Sequence, residues 1–163
     1  MIKNYIVVGI GLNSFTGCDY LESVVMPDAV RYVEESAFLS CRLLEKVKWS
    51  SSLESIGRNS FSLKLIKEIK LPDSLRKLGE SSFSFNDKIT EIVIPKNVEA
   101  IGNYALSDCD NLKIVTLLPP NMEIGIDIFS DCVSLKKVYV PKESLDYYKE
   151  CFKEYDFEVL SLE

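Results

Sequence analysis

The sequence predicts a repeat solenoid, mainly β, and three observations predict it. A large apolar residue returns at Phe15, Phe38, Phe61, Phe83, Leu106 and Phe129, with successive gaps of 23, 23, 22, 23 and 23 residues. Five residues before each stands an aliphatic, Ile10, Val33, Ile56, Leu78, Ile101 and Ile124, followed by Gly11, Glu34, Gly57, Gly79, Gly102 and Gly125. Six residues after each, or five after Phe61, begins an alternating apolar segment that mostly closes on proline. Self-similarity at a fixed period of this size means one structural unit per repeat, which buries its apolar face only by stacking on its neighbours.

Each part of the repeat has a physical reason. The alternating segments are Leu21-x-x-Val24-x-Met26, Leu44-x-x-Val47-x-Trp49, Ile66-x-x-Ile69-x-Leu71, Ile89-x-x-Ile92-x-Ile94, Leu112-x-x-Val115-x-Leu117 and Leu135-x-x-Val138-x-Val140. Their period of two predicts a strand with one face buried. Pro27, Pro72, Pro95 and Pro141 end the strand, because proline brings no N–H to the ladder. The glycine suits either a positive φ or a close approach to the next coil, so Glu34 predicts strain or a different turn in repeat two. A mostly small residue precedes the aromatic, which fills the space between the strand layer and the opposite wall. Repeat three is one residue short, and Lys64 in the slot held elsewhere by Cys18, Cys41, Asn86, Cys109 and Cys132 reflects that deletion. Trp49 replaces an inward Met, Leu, Ile or Val, which predicts a core residue that bulges the wall.

This pattern, complete in Ile101-Gly102-x-x-Ala105-Leu106-x-x-Cys109-x-x-Leu112-x-x-Val115-x-Leu117, resembles the BspA-like leucine-rich-repeat family. The resemblance implies a right-handed coil with a parallel sheet on one face and short irregular or 3₁₀ segments elsewhere. It also implies surface-exposed proteins that bind host or matrix proteins. On this reading residues 1–163 are a single domain, with about six repeats over 10–141 and a C-terminal cap over 142–163.

The ends differ from the repeats. Residues 142–155 read as an amphipathic helix with Ser144 as N-cap and Leu145, Tyr148 and Phe152 on one face. Residues 157–160 read as a short strand completing the cap. At the other end residue 4 holds the proline position, so the chain starts inside a strand, with Ile6, Val7 and Val8 on an open end. Such an edge invites pairing, either with more of the same solenoid or with another subunit, and self-association is one expectation.

Composition narrows the function. The 163 residues are 47% hydrophobic with a net charge of −6, which excludes disorder and argues against nucleic acid or anionic membranes as general partners. The longest apolar stretch, Ile6 to Leu12, is far too short to span a bilayer. The N-terminal residues do not read as a signal peptide, so localisation is open between a cytosolic protein and a surface or secreted one. With no histidine in the chain, Ser-His-Asp and Cys-His catalysis and histidine metal sites fall away. The five cysteines form no clustered pair and read as a ladder of small buried thiols rather than disulfides or a zinc site, with Cys151 as a separate reactive candidate. Gly9, Gly11 and Ser14 half-match a dinucleotide fingerprint whose third glycine is missing, and Asp108-Cys109-Asp110-Asn111 lacks the further ligands of a calcium loop. No catalytic residue, cofactor or metal is expected.

The expected site is therefore a binding face. Outward strand side chains Val25, Lys48, Lys70, Val93, Thr116 and Tyr139 form its central row. Lys46, Lys67, Lys113, Lys136 and Lys137 make the surroundings mildly basic, although stacking sets Lys48 beside Lys70 unless Glu45 and Glu68 pair with them. A protein partner is the leading expectation, with an acidic protein or an anionic glycan as its chemistry. An intracellular scaffold is the alternative, and solubility alone is the plain reading of the lysines.

Overall fold

The structure is a computed structural model in which residues 6–62 and 65–163 are described. Lys64 and the expected proline position at residue 4 lie outside them. Each coil crosses three sides, and the sides differ in their backbone.

The alternating segments form the first side, as β2 (Ser23–Val25), β4 (Lys46–Lys48), β7 (Glu91–Ile94), β9 (Ile114–Leu117) and β11 (Lys137–Val140). All pairings are parallel and in register, such as Ile92 with Val115 and Val138 with Val115. Inward side chains Ile92, Val115, Val138 and Ile94, Leu117, Val140 stack into rows with almost no exposure.

The second side carries a continuous sheet that the sequence reading did not expect. Two-residue strands β1 (Gly9–Ile10), β3 (Tyr32–Val33), β5 (Ser55–Ile56), β6 (Lys77–Leu78), β8 (Ala100–Ile101) and β10 (Glu123–Ile124) pair in parallel in that order. Each ends on the aliphatic residue that precedes the repeat glycine or Glu34. Strands this short show no alternation in sequence, so only the stacking reveals them. Between the two sheets a buried row of Val30, Leu53, Leu75, Val98 and Met122 fills the corner.

The glycines act by close approach, not by positive φ. A Cβ on Gly57, Gly79, Gly102 or Gly125 would stand 2.4–2.6 Å from backbone atoms of the preceding coil. Glu34 causes no different turn: Ser36, two residues on, keeps the φ near +55° of its counterparts, and the Glu34 carboxylate accepts the Leu12 N–H at 2.8 Å. Positive φ falls elsewhere, in two columns on the third, turn-rich side. One holds Asn13, Ser36, Asn59, Ser81, Tyr104 and Asp127; the other holds Gly17, Ser40, Phe85, Asp108 and Asp131.

The core is the aromatic column. Phe15, Phe38, Phe61 and Phe83 stack with centroids 5.1, 5.0 and 5.7 Å apart and nearly parallel planes. Stacked pairs of this kind add about 0.5–1.5 kcal/mol each beyond area burial. Trp49 points inward as expected and is half-buried, edge-on to Phe61 at 4.9 Å and to Phe83 at 6.0 Å. Its indole N–H has no hydrogen-bond partner among the described residues.

At coil three the first side is interrupted. Residues 65–72 form no strand, which divides that side into a β2-β4 pair and a β7-β9-β11 sheet. The gap coincides with Trp49 wedged against Phe61 and Phe83 and with the one-residue deletion of repeat three.

At the C-terminal end a 3₁₀ turn (Lys142–Ser144) leads into α1 (Leu145–Cys151), shorter than the expected 142–155 helix. Ser144 makes no side-chain cap; it is buried, and the 3₁₀ turn takes the place of a capping hydroxyl. Tyr148 and Phe152 bury as expected, and β12 (Glu158–Ser161) adds to β11. Phe152, Tyr155 and Phe157 surround Phe129, with centroids 5.5–6.2 Å away. At the other end Ile6–Val8 form no strand, contrary to expectation, and are exposed; only the Val8 carbonyl joins the stack, accepting the Arg31 N–H.

Candidate binding face

The slot shared by cysteines and asparagine is structural. Cys41 Sγ donates to the Phe15 carbonyl at 3.0 Å, Asn86 Nδ2 to Phe61 at 2.8 Å, Cys109 Sγ to Phe83 at 3.4 Å and Cys132 Sγ to Leu106 at 3.0 Å. Each side chain thus satisfies a carbonyl of the preceding coil at the aromatic position. All five cysteines are free thiols, with Cys41, Cys109 and Cys132 buried and Cys151 exposed. Burial pushes the Cys41 thiol up from its ordinary pKa, and the hydrogen bond to Cys132 together with burial does the same for Cys109. Raised thiols are poor nucleophiles at neutral pH. Around Asp108–Asn111 the backbone turns at positive φ and Asn111 Nδ2 donates to the Asp87 carbonyl at 2.7 Å. Among the described residues no group of three or more His, Cys, Asp or Glu is placed to hold a metal ion.

The row of expected contact residues points outward throughout. Val25 is 69% exposed and Val93 is 47% exposed, Lys48 and Lys70 are exposed, and Thr116 and Tyr139 are half-buried. Strand register joins Val25 to Lys48 and, separately, Val93 to Thr116, Tyr139 and Leu160. Leu160 extends the row through β12, a contribution that the strand periodicity of residues 157–160 could have indicated. Lys70 lies on the interrupted stretch, so no ladder pairing holds it beside Lys48. The lysines instead take acidic partners: Lys70 Nζ is 2.8 Å from Glu68 Oε1 and Lys67 Nζ is 3.1 Å from Glu45 Oε2. Glu68 raises the Lys70 pKa by hydrogen bond and charge. Lysines flank both parts of the face, Lys46, Lys48, Lys67 and Lys70 before and at the interruption and Lys113, Lys136 and Lys137 over the last coils, where the central row of Val93, Thr116, Tyr139 and Leu160 is itself uncharged.

The six-stranded side is paved differently. Arg31 pairs with Glu54 and Arg76 with Glu99, each across one coil step at 2.5–2.8 Å. These exposed pairs align neighbouring coils and leave that side more self-satisfied than the first.

The repeat pattern of the BspA-type leucine-rich-repeat region matches this chain in 6 copies, over residues 3–113 and 35–158. The chain belongs to that family. A leucine-rich-repeat protein from Bacteroides ovatus is similar in structure with a TM-score of 0.78 and 32% identity, covering 97% of this chain and 42% of its own. A leucine-rich cell surface protein from Faecalibacterium prausnitzii is similar with a TM-score of 0.55 and 26% identity, covering 85% and 31%. The pneumococcal vaccine antigen PcpA shares the fold, with a TM-score of 0.63 and 20% identity over 87% and 42%. This BspA-type chain therefore spans less than half the length of these three relatives. No curated protein matches it. Leucine-rich-repeat proteins are typically non-catalytic protein-interaction modules, and no helix among the described residues is long and apolar enough to cross a membrane.

Proposed function

We propose that this chain is a non-catalytic protein-binding module of cell-surface or secreted adhesion type, and that it binds through Val25, Lys48, Lys70, Val93, Thr116 and Tyr139. The observation that carries the reading is the outward row itself. It sets exposed apolar side chains and lysines on a rigid repeat scaffold, the pattern of an interaction surface with anchors and a polar rim. The protein partner is acidic where it meets Lys48 and Lys70, and an anionic glycan offers the same chemistry. Residues 1–163 act as a single domain with 142–163 as its cap, and exposed Ile6, Val7 and Val8 offer an apolar surface for self-association.

The test is a pull-down with the intact chain beside a Lys48→Glu/Lys70→Glu form, with retention on immobilised heparin run in parallel. Specific partners should be lost from the charge-reversed protein. Equal recovery of the same partners by both forms would discard the face. An intracellular scaffold is the second reading, favoured by five free thiols in the absence of any disulfide among the described residues, since disulfides persist mainly in oxidising compartments.

A further inference from the structure

Along the turn-rich side the backbone ladder has a direction. Two left-handed residues and the large apolar residue between them send their N–H groups to carbonyls of the next coil. Tyr104 donates to Ile126 at 2.9 Å, Leu106 to Ile128 at 3.0 Å and Asp108 to Ser130 at 2.8 Å. The same three bonds leave Asn13, Phe15 and Gly17 for the second coil. In the last coil the corresponding donors are Asp127, Phe129 and Asp131, and the cap of α1 and β12 sets no ladder against them. The Tyr155 hydroxyl accepts from the Phe129 backbone and takes the middle place. The Asp127 and Asp131 N–H groups have no hydrogen-bond partner among the described residues. Backbone donors left in ladder register are a template for an added chain.

These donors open on a groove. It runs between residues 127–136 of the last coil and the cap segment 155–158, as two adjoining cavities of about 390 and 440 Å³. Val133, 72% exposed, and half-buried Tyr155 and Phe157 give it apolar walls. Asp127 and Asp131 stand at one end, Lys137 and Glu158 at the other, and Lys136 and Asp156 where the cavities join. Lys113, whose carbonyl accepts the Lys136 N–H at 3.1 Å, adds a third lysine at the second end. The charge thus runs from acidic to mildly basic along the groove. None of these seven side chains forms an ion pair, whereas Arg31 with Glu54, Arg58 with Glu80 and Arg76 with Glu99 pair across coil steps. Asp131 accepts only the neighbouring Ser130 hydroxyl, at 3.0 Å. Charges of both signs kept apart in one groove fit a partner that brings both.

We propose that this groove takes one extended segment of a partner protein, whose carbonyls accept the Asp127 and Asp131 N–H groups and whose charge runs from basic to acidic. The direction follows from the fold. All strand pairings are parallel, so a segment standing in for a further coil places its leading residues at Asp127 and its trailing ones at Lys137. The inference rests on the reading of the chain as a protein-binding module, but not on the outward row of that reading.

The experiment titrates the intact chain against a fluorescein-labelled decapeptide of no net side-chain charge, followed by anisotropy. Lysine alternates with leucine in its first half and glutamate with leucine in its second; the control exchanges the halves. Saturable binding of the lysine-first peptide is expected, with the control weaker by at least about tenfold. Asp127→Asn/Asp131→Asn should weaken binding about tenfold while the turns persist, because asparagine suits left-handed backbone. Lys136→Glu/Lys137→Glu should weaken it as much, and Lys48→Glu/Lys70→Glu should leave it intact. Bound peptide should slow amide exchange at Asp127 and Asp131, read by NMR, and leave Asp108 unchanged. No saturable binding by the wild-type chain overturns the proposal, and so does equal affinity for both charge orders. Binding without slowed exchange at Asp127 and Asp131 removes the ladder and overturns it as well. Dimerisation in sedimentation that Lys136→Glu/Lys137→Glu abolishes would make a second copy the occupant, against the proposal. Failure here leaves the strand-face reading standing, because that reading is tested by Lys48→Glu/Lys70→Glu.

Discussion

At the scale of single residues, the slot of Cys41, Asn86, Cys109 and Cys132 shows how one position enforces the stacking. Asn86 Nδ2 reaches the Phe61 and Phe83 carbonyls at 2.8 Å each, bridging two coils, while its Oδ1 finds no partner among the described residues. Asn86→Ala should cost about 1–3 kcal/mol in urea unfolding, because it leaves buried carbonyls without their donor. Asn86→Cys should be milder, since a thiol serves that slot in other coils; a penalty equal to that of alanine would show that the slot is not interchangeable. Gly102 is constrained by space, with an added Cβ at 2.5 Å from the Glu80 nitrogen. Gly102→Ala should therefore cost about 1–3 kcal/mol by forcing two backbones apart, whereas Gly9→Ala, whose nearest contact would be 3.6 Å, should leave the midpoint almost unchanged. The small donor slot was legible in sequence. The reason for the glycine was not fully so, because an open backbone angle and a close neighbour leave the same letter.

At the scale of elements, α1 and β12 close the C-terminal end through aromatic packing and two tyrosine hydroxyls. Tyr148 Oη donates to the Pro119 carbonyl and Tyr147 Oη to Met122, both at 2.7 Å. Burial raises the Tyr148 pKa, so the folded state favours its neutral form. A group with a raised folded pKa contributes stability that is complete below its unfolded pKa of about 10 and lost as pH rises beyond it. Unfolding free energy should fall above about pH 10, and Tyr148→Phe should flatten that fall while costing about 1 kcal/mol at neutral pH. An unchanged alkaline slope in the variant would assign the loss to other groups, Tyr155 among them, which burial also raises. The helix face and final strand could be read from spacing because Leu145, Tyr148 and Phe152 recur at helical intervals. The six-stranded sheet could not, because strands of two residues carry no period; neither could the 3₁₀ entry, where Ser144 turns inward instead of capping.

At the scale of the whole molecule, the unequal continuity of the two sheets decides where the solenoid opens. Coil three contributes β5 to the unbroken six-stranded side, with Ile56 paired to Val33 before it and to Leu78 after it. On the binding side its residues 65–72 form no strand, although Ile66 and Ile69 remain buried. Apolar contacts and one continuous ladder therefore hold the coil, while its other wall forms no strand pairing among the described residues. Local opening follows such missing ladders, so hydrogen exchange resolves the difference directly. Amides of residues 66–71 should exchange well before those of Ile92–Ile94 and Val115–Leu117, while Ile56 and Leu78 stay protected. Equal protection along both walls would mean that coil three pairs in solution and that the division of the face is absent. Trp49→Leu tests the cause, because removing the wedge should raise protection at 66–71 if indole volume displaces that backbone. No gain would leave the missing residue of repeat three as the sole origin. The stride of the repeat was plain in the sequence, yet the break was not, because the Trp49 indole and the deletion lie in different repeats and no single repeat contains both. The break separates the Val25–Lys48 part of the row from the Val93–Leu160 part, which makes coil three the place where partner binding should most change exchange.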